Sequence, residues 1–151
     1  MFTVTNEAGV DSSGFFVQFF SDELLDKNLK RMNTKKILSI AKKWFDAFNE
    51  HDLKKLLALY DDNAQHYSPK LKVRNPETKG LIAGKKALRL WWRDSFERLP
   101  SLKYQPQRFI ANDSSVFLEY IRVVDGEENM TVGEVLEIRD GLIISSRVYH
   151  S

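Results

Sequence analysis

The sequence predicts an α+β fold in which a curved antiparallel sheet wraps N-terminal helices to form a cone with an internal cavity. Three observations carry this. Apolar residues recur at helical spacing up to Leu99, strand-like stretches succeed one another from Leu102 onward, and tight-turn pairs separate those stretches. A strongly curved sheet with a long helix across its mouth leaves a hollow, and hollows of this kind are ready ligand sites.

Residues 1–31 differ in pattern from the remainder of the chain and read as an N-terminal extension, with 32–151 as a single domain. Gly9, Ser12, Ser13 and Gly14 suggest a flexible lead-in, Phe15 to Phe20 make an aromatic knot, and Ser21 is placed to cap a short helix. A helix begins at Asn33, where Ile37, Ala41, Trp44 and Phe48 form one stripe. Asp52 caps a second helix carrying Leu53, Leu56, Leu57 and Tyr60, which Asp61-Asp62-Asn63 ends. Ala64 to Ser68 reads as a short strand, and Pro69 to Gly84 as a polar loop able to act as a lid. A third helix holds Leu88, Trp91, Trp92, Phe96 and Leu99 and stops at Pro100. Strands are predicted over 102–111, 115–124, 128–139 and 142–150, with turns at Asn112-Asp113, Asp125-Gly126 and Asp140-Gly141.

Composition narrows the chemistry. The 151 residues contain no cysteine, which removes disulfides, thiolate catalysis and zinc–cysteine sites. No apolar run approaches the ~20 residues that span a bilayer, and the start lacks a basic segment, so no membrane association and a cytoplasmic location are expected. The net charge is +2, yet residues 70–93 hold eight basic side chains against Glu77 alone, a local +7. Without interleaved aromatic and glycine motifs this reads as a solvated face rather than a nucleic-acid surface. His51, His66 and His150 lack a ligand spacing, His51 sits at a helix corner where exposure is expected, and no phosphate loop or nucleophile elbow is present. No metal or cofactor is expected.

The stretch Trp44-Phe45-Asp46-Ala47-Phe48-Asn49-Glu50-His51-Asp52-Leu53, continuing through Leu59-Tyr60-Asp61-Asp62-Asn63-Ala64 to Ser68-Pro69, resembles the opening of the nuclear-transport-factor-2-like superfamily. Gly84 to Leu88 before a Trp-rich helix, and Asp140 to Ile143 before a last strand ending Tyr149-His150, fit the same plan. The resemblance covers about residues 34–151. That superfamily includes scytalone dehydratase, limonene-epoxide hydrolase, ketosteroid isomerases and SnoaL-like polyketide cyclases, and the resemblance points to its SnoaL-like and ketosteroid-isomerase-like members. It implies a cone-shaped domain, a small organic ligand and a homodimer. Ketosteroid isomerase works with an aspartate base and an oxyanion hole of tyrosine and protonated aspartate. On the shared opening the tyrosine position is Trp44, the base position is Ser68, and the oxyanion-hole aspartate position falls on Glu134. Two of the three are thus replaced, and that route of proton abstraction is not implied.

Polar residues interrupting an apolar strand face are the candidates for the cavity. Met130, Val132, Leu136 and Ile138 share a face with Glu134, where desolvation would raise its pKa. The competing reading is a salt bridge, and the Asp140-Gly141 hairpin separates the two. A two-residue turn sets Glu134 against Arg147; a three-residue loop sets it against Ser146 and gathers Leu142, Ile144, Val148 and His150 on the apolar side. The coherent faces favour the second register, with Glu134 inward. By the resemblance His66 and Ser68 also point inward, and His66 near Glu134 would make an acid–base pair. A histidine bonded to a backbone carbonyl is the plainer reading. Leu118, Tyr120 and Arg122 share one face of their strand, opposed by Phe117, Glu119, Ile121 and Val123; the residues leave the choice open, and the resemblance turns Tyr120 inward.

The candidate catalytic set is therefore Glu134, His66 and Tyr120, with Tyr120 donating a hydrogen bond to a developing oxyanion. Trp44, Phe48, Ser68, Leu118, Leu136, Ser146, Val148 and His150 are the candidate ligand contacts. Trp91 and Trp92 read as core. Two functions compete: an isomerase-, cyclase- or lyase-type enzyme, and a non-catalytic module that holds a ligand or a partner.

Overall fold

The computed structural model describes the backbone of residues 2–150 and the side chains of 21–150. The expected lead-in at Gly9 to Gly14 and the aromatic knot at Phe15 to Phe20 involve side chains outside that set. Helix α1 (Phe2–Asn49) leads into α2 (Leu53–Ala58), β1 (Tyr60–Tyr67), α3 (Pro69–Arg74), a 3₁₀ turn at Pro76–Thr78, and β2 (Leu81–Ala83). Then come α4 (Lys85–Arg98), β3 (Lys103–Ala111), β4 (Ser115–Val123), β5 (Met130–Arg139) and β6 (Leu142–Tyr149). The six strands form one sheet in the order β2-β1-β6-β5-β4-β3, antiparallel except where β1 meets β6. No helix among the described residues is long and apolar enough to cross a membrane.

No helix starts at Asn33 and none is capped at Ser21, because α1 runs through both. The Thr34 hydroxyl donates to the Lys30 carbonyl one turn back instead of capping, and Lys27–Glu23 and Lys30–Asp26 pair along the same helix. Burial begins only at Ile37, and the stripe Ile37, Ala41, Trp44 and Phe48 packs on the sheet as the periodicity requires. Asp52 caps α2 by accepting from the Lys55 amide. His51 is half-buried rather than exposed: its Nε2 lies 2.8 Å from the Leu102 carbonyl and its ring stacks on Phe96.

Two other boundaries differ. Asp61-Asp62-Asn63 lies inside β1, whose first residue, Tyr60, is wholly buried. The polar stretch 69–83 is ordered as α3, the 3₁₀ turn and β2, anchored by buried Leu71, by the Ser68 amide donating to the Gly80 carbonyl, and by the β1–β2 ladder. Gly80 is buried at φ +88, and a Cβ there would stand 2.9 Å from the Tyr67 ring.

The last hairpin corrects both registers considered from sequence. Asp140 and Gly141 have φ of 52 and 77, which makes a two-residue turn, and Arg139 faces Leu142. A bulge at Ile144 then shifts the pairing by one, so Glu134 faces Val148, not Ser146 or Arg147. Before the bulge Ile143 is the buried residue, while Leu142 and Ile144 are only half-buried. Beyond it Ser146 turns inward on the same side as Leu136 and Glu134. Arg147 lies on the outer side with its guanidinium 4.4 Å above the Tyr67 ring.

Candidate functional site

The inner faces of β4, β5, β6 and β1 and one side of α1 and α4 enclose a cavity of about 390 Å³. That volume lies within the range of small-molecule sites. Strand alternation decides what reaches it. On β4 every even residue from Val116 to Arg122 is buried, which resolves the open choice in favour of Tyr120 and leaves Glu119 on the outer face. On β5 the same parity places Val132 and Glu134 in the wall.

Glu134 and Tyr120 are diagonal neighbours on β4 and β5, and the Tyr120 hydroxyl donates to Glu134 Oε2 at 2.8 Å. Burial pushes the Glu134 carboxyl up to about 7, against a smaller opposing effect of the Tyr120 hydrogen bond. Oε1 has no hydrogen-bond partner among the described residues. Tyr120 is held far from ionisation by its own burial and by the neighbouring carboxylate. Its ring packs on Tyr104 at 4.2 Å and edge-on to Phe45 at 5.6 Å. With its one proton given to Glu134, Tyr120 has none left for a ligand in this arrangement.

His66 sits apart from that pair. Its Nδ1 is 2.7 Å from Ser146 Oγ, a hydroxyl rather than the backbone carbonyl of the plainer reading, and no hydrogen bond joins His66 to Glu134. Burial lowers its pKa to about 4, so the ring is neutral. The hydrogen bonds behind it bear on its tautomer. Trp44 Nε1 can only donate, and it does so to the Tyr60 hydroxyl at 3.0 Å; Tyr60 in turn donates to Ser146 Oγ at 3.4 Å. With Ser146 accepting from Tyr60, its own proton is available to His66 Nδ1, and in that arrangement the imidazole proton is on Nε2. His66 in that arrangement offers the cavity a neutral N–H donor, where the sequence suggested an acid–base pair with Glu134.

Trp44, Phe48, Ser68, Val148 and His150 border the cavity, as do both Trp91 and Trp92. Ser68 is buried and its side chain does not cap α3. Leu118, Leu136 and Ser146 do not reach the hollow. Leu118 pairs with Glu134 across β4–β5, Leu136 pairs with Ser146 across β5–β6, and Leu118 and Leu136 are fully buried in the core. Sequence reasoning missed Tyr60 and Tyr104, and it missed the charged rim of Lys70, Arg98 and Glu127. Arg122 was legible through its alternation with Tyr120 but was not assigned a place in the site. Among the described residues no group of three or more metal-ligating side chains gathers.

The model of the SnoaL-like domain matches residues 41–146, which include every strand residue of the cavity wall except Val148. The chain belongs to the SnoaL-like family. Solved structures share its fold at low identity. A SnoaL-like protein of unknown function from Burkholderia thailandensis is 24% identical with a TM-score of 0.70, over 78% of this chain and 95% of that one. An NTF2-like protein from Anabaena variabilis is 18% identical with a TM-score of 0.64, over 79% and 90% of the two chains. TerC, co-crystallised with polyporic acid, is 14% identical with a TM-score of 0.67, over 77% and 92%. No curated protein matches the chain in sequence. For this SnoaL-like chain the resemblances establish the α+β cone.

Proposed function

We propose that this SnoaL-like protein binds a small, largely apolar molecule bearing a carbonyl or hydroxyl group and moves a proton on it, with Glu134 as the acid–base group. The observation that carries the reading is a fully buried carboxyl at the cavity floor, poised near pH 7, with one oxygen uncommitted. A carbon acid beside a carbonyl would give its proton to Glu134 Oε1 and leave an enolate. The His66 Nε2–H would hydrogen-bond the enolate oxygen, and Glu134 would return the proton to carbon. Tyr120 keeps donating to Oε2 throughout, since the proton arrives on and leaves from Oε1, and so holds the carboxyl in place. The complex of TerC with polyporic acid supports the ligand class, since it places a small organic molecule with a protein of the same fold.

The assay is solvent-deuterium incorporation into 2-tetralone and related bicyclic ketones, followed by NMR. The wild type should exchange the α-hydrogens above the buffer rate, and Glu134→Gln should bind the same ketones without exchanging them. Binding by both proteins with exchange only at the buffer rate would refute the proton transfer and leave a ligand-holding module. Dimerisation through the outer sheet face, where Phe117, Ile121 and Val135 are half-buried, belongs to the same reading. A monomeric mass by light scattering at micromolar concentration would refute it.

A further inference from the structure

One side of the cavity has a chemistry that a purely apolar ligand would not need. Its solvent end is marked by Arg74, Glu127 and Arg98, whose side chains are 44%, 45% and 32% exposed. Four cationic groups line that end: Lys70 and Arg74 from α3, Arg98 from the last turn of α4, and Arg122 from β4. Two carboxylates answer them. Asp94 holds Arg98 at 2.8 Å and Arg74 at 3.6 Å, and Glu127 holds Arg122 at 2.5 Å. Arg122 is only 6% exposed, so this charge faces the hollow and not bulk water. Lys70 makes no ion pair among the described residues; Arg122 and Arg98 repel it, and Glu127, already bound to Arg122, attracts it from a distance. The rim therefore keeps an excess of two positive charges gathered around one opening.

Partly buried like charges are unfavourable unless an anion joins them, and a low-dielectric wall strengthens the attraction for one that does. The opposite end of the cavity excludes an anion, because Glu134 stands there in an apolar setting. Trp91, Leu99 and Val148 give the cavity apolar lining, Val148 beside Glu134. Building on the ligand-binding reading of the cavity, we infer that the ligand is an amphipathic organic carboxylate, its anion held at the rim by Lys70 with Arg98 and Arg122, and its carbonyl or hydroxyl group at the Tyr120–Glu134 floor. The basic run 70–93, which the sequence left as a solvated face, then serves small-molecule recognition through its first members.

The test compares 6-hydroxy-2-naphthoate with 2-naphthol, which lacks only the carboxylate, by isothermal titration calorimetry on the full chain. The naphthoate should bind the wild type at least about tenfold more tightly, and the advantage should shrink as salt rises. Lys70→Gln should remove most of that advantage and leave 2-naphthol binding unchanged, which also reports that the variant is folded. Equal affinities in the wild type, or an advantage that survives both Lys70→Gln and Arg98→Gln, would overturn the carboxylate assignment while the cavity reading stands. Failure of both probes to bind at all would overturn both.

Discussion

Glu134 and His66, buried in the cavity wall, should mask each other in the pH dependence of stability, and removing either should expose the other. Glu134 has its carboxyl raised from 4.5 to about 7 by burial. The folded state therefore holds a proton that the unfolded chain releases, so this contribution is complete below pH 4.5 and is lost as pH rises to about 7. His66 is lowered from 6.5 to about 4. Here the unfolded chain takes the proton, so its contribution is complete above pH 6.5 and is lost as pH falls to about 4. Each group changes stability by about 1.4 kcal/mol per pH unit inside its window, with opposite sign. Between pH 4.5 and 6.5 both windows are open, and the two slopes cancel in the wild type.

Glu134→Gln keeps an acceptor for Tyr120 and removes the titration. Its stability should rise by about 3 kcal/mol from pH 4.5 to 6.5, on the order of 6–12 °C in Tm for a chain of this length. His66→Asn should fall by a similar amount over the same interval. Urea unfolding at half-unit pH steps, with the double variant as the baseline for all other carboxylates, gives the four curves. Neither group is among the causes of the other's shift, so the two effects should add. If the Glu134→Gln profile ran parallel to the wild type, the carboxyl would not be buried as described, and the acid–base proposal would lose its foundation.

Gly80→Ala should destabilise the protein by about 1–3 kcal/mol, since it meets a left-handed backbone and the Tyr67 ring at once; thermal unfolding would register the loss and limited proteolysis would locate it in 69–83. Ser146→Ala should free His66 from its imposed tautomer: nitrogen-15 NMR should find the proton on Nε2 in the wild type and shared between both ring nitrogens in the variant, and a wild type already showing both forms would refute the relay from Trp44.

Much of this arrangement could be read from residue patterns because burial enforces period. The stripe Ile37, Ala41, Trp44, Phe48 and the alternation of β4 and β5 leave one workable face each, so the core and the inward turn of Glu134 follow from them. Short elements do not carry such a pattern. Helix α3 has a single buried residue, Leu71, in six, too few to show a helical period inside a polar stretch. Strand β1 hides behind Asp61 and Asn63, which suit a helix end as well as the irregular stretch where β1 loses register with β6. The rim was missed for a different reason. Charged residues are read as solvent-facing by default, and only the position of Arg122, two residues from Tyr120 on an inner face, signalled otherwise.

The last hairpin explains why the site was legible although its turn was not. A strand face is decided by parity alone, so any even displacement of one strand along another leaves the same residues inside. The two-residue turn by itself would have carried Arg147 against Glu134 and turned Ser146 and Val148 outward. The bulge at Ile144 adds one residue and restores the parity, giving a register two residues from the one that the apolar pattern favoured. Burial of Leu136, Glu134 and Val132 against the inward residues of β6 sets that parity, while the tight Asp140-Gly141 turn sets the local geometry. Where the two conflict, the strand absorbs the difference in a bulge, because one unpaired residue costs less than exposing an entire apolar face. The orientation of Glu134 therefore rests on the core, and the turn sequence could change without moving it.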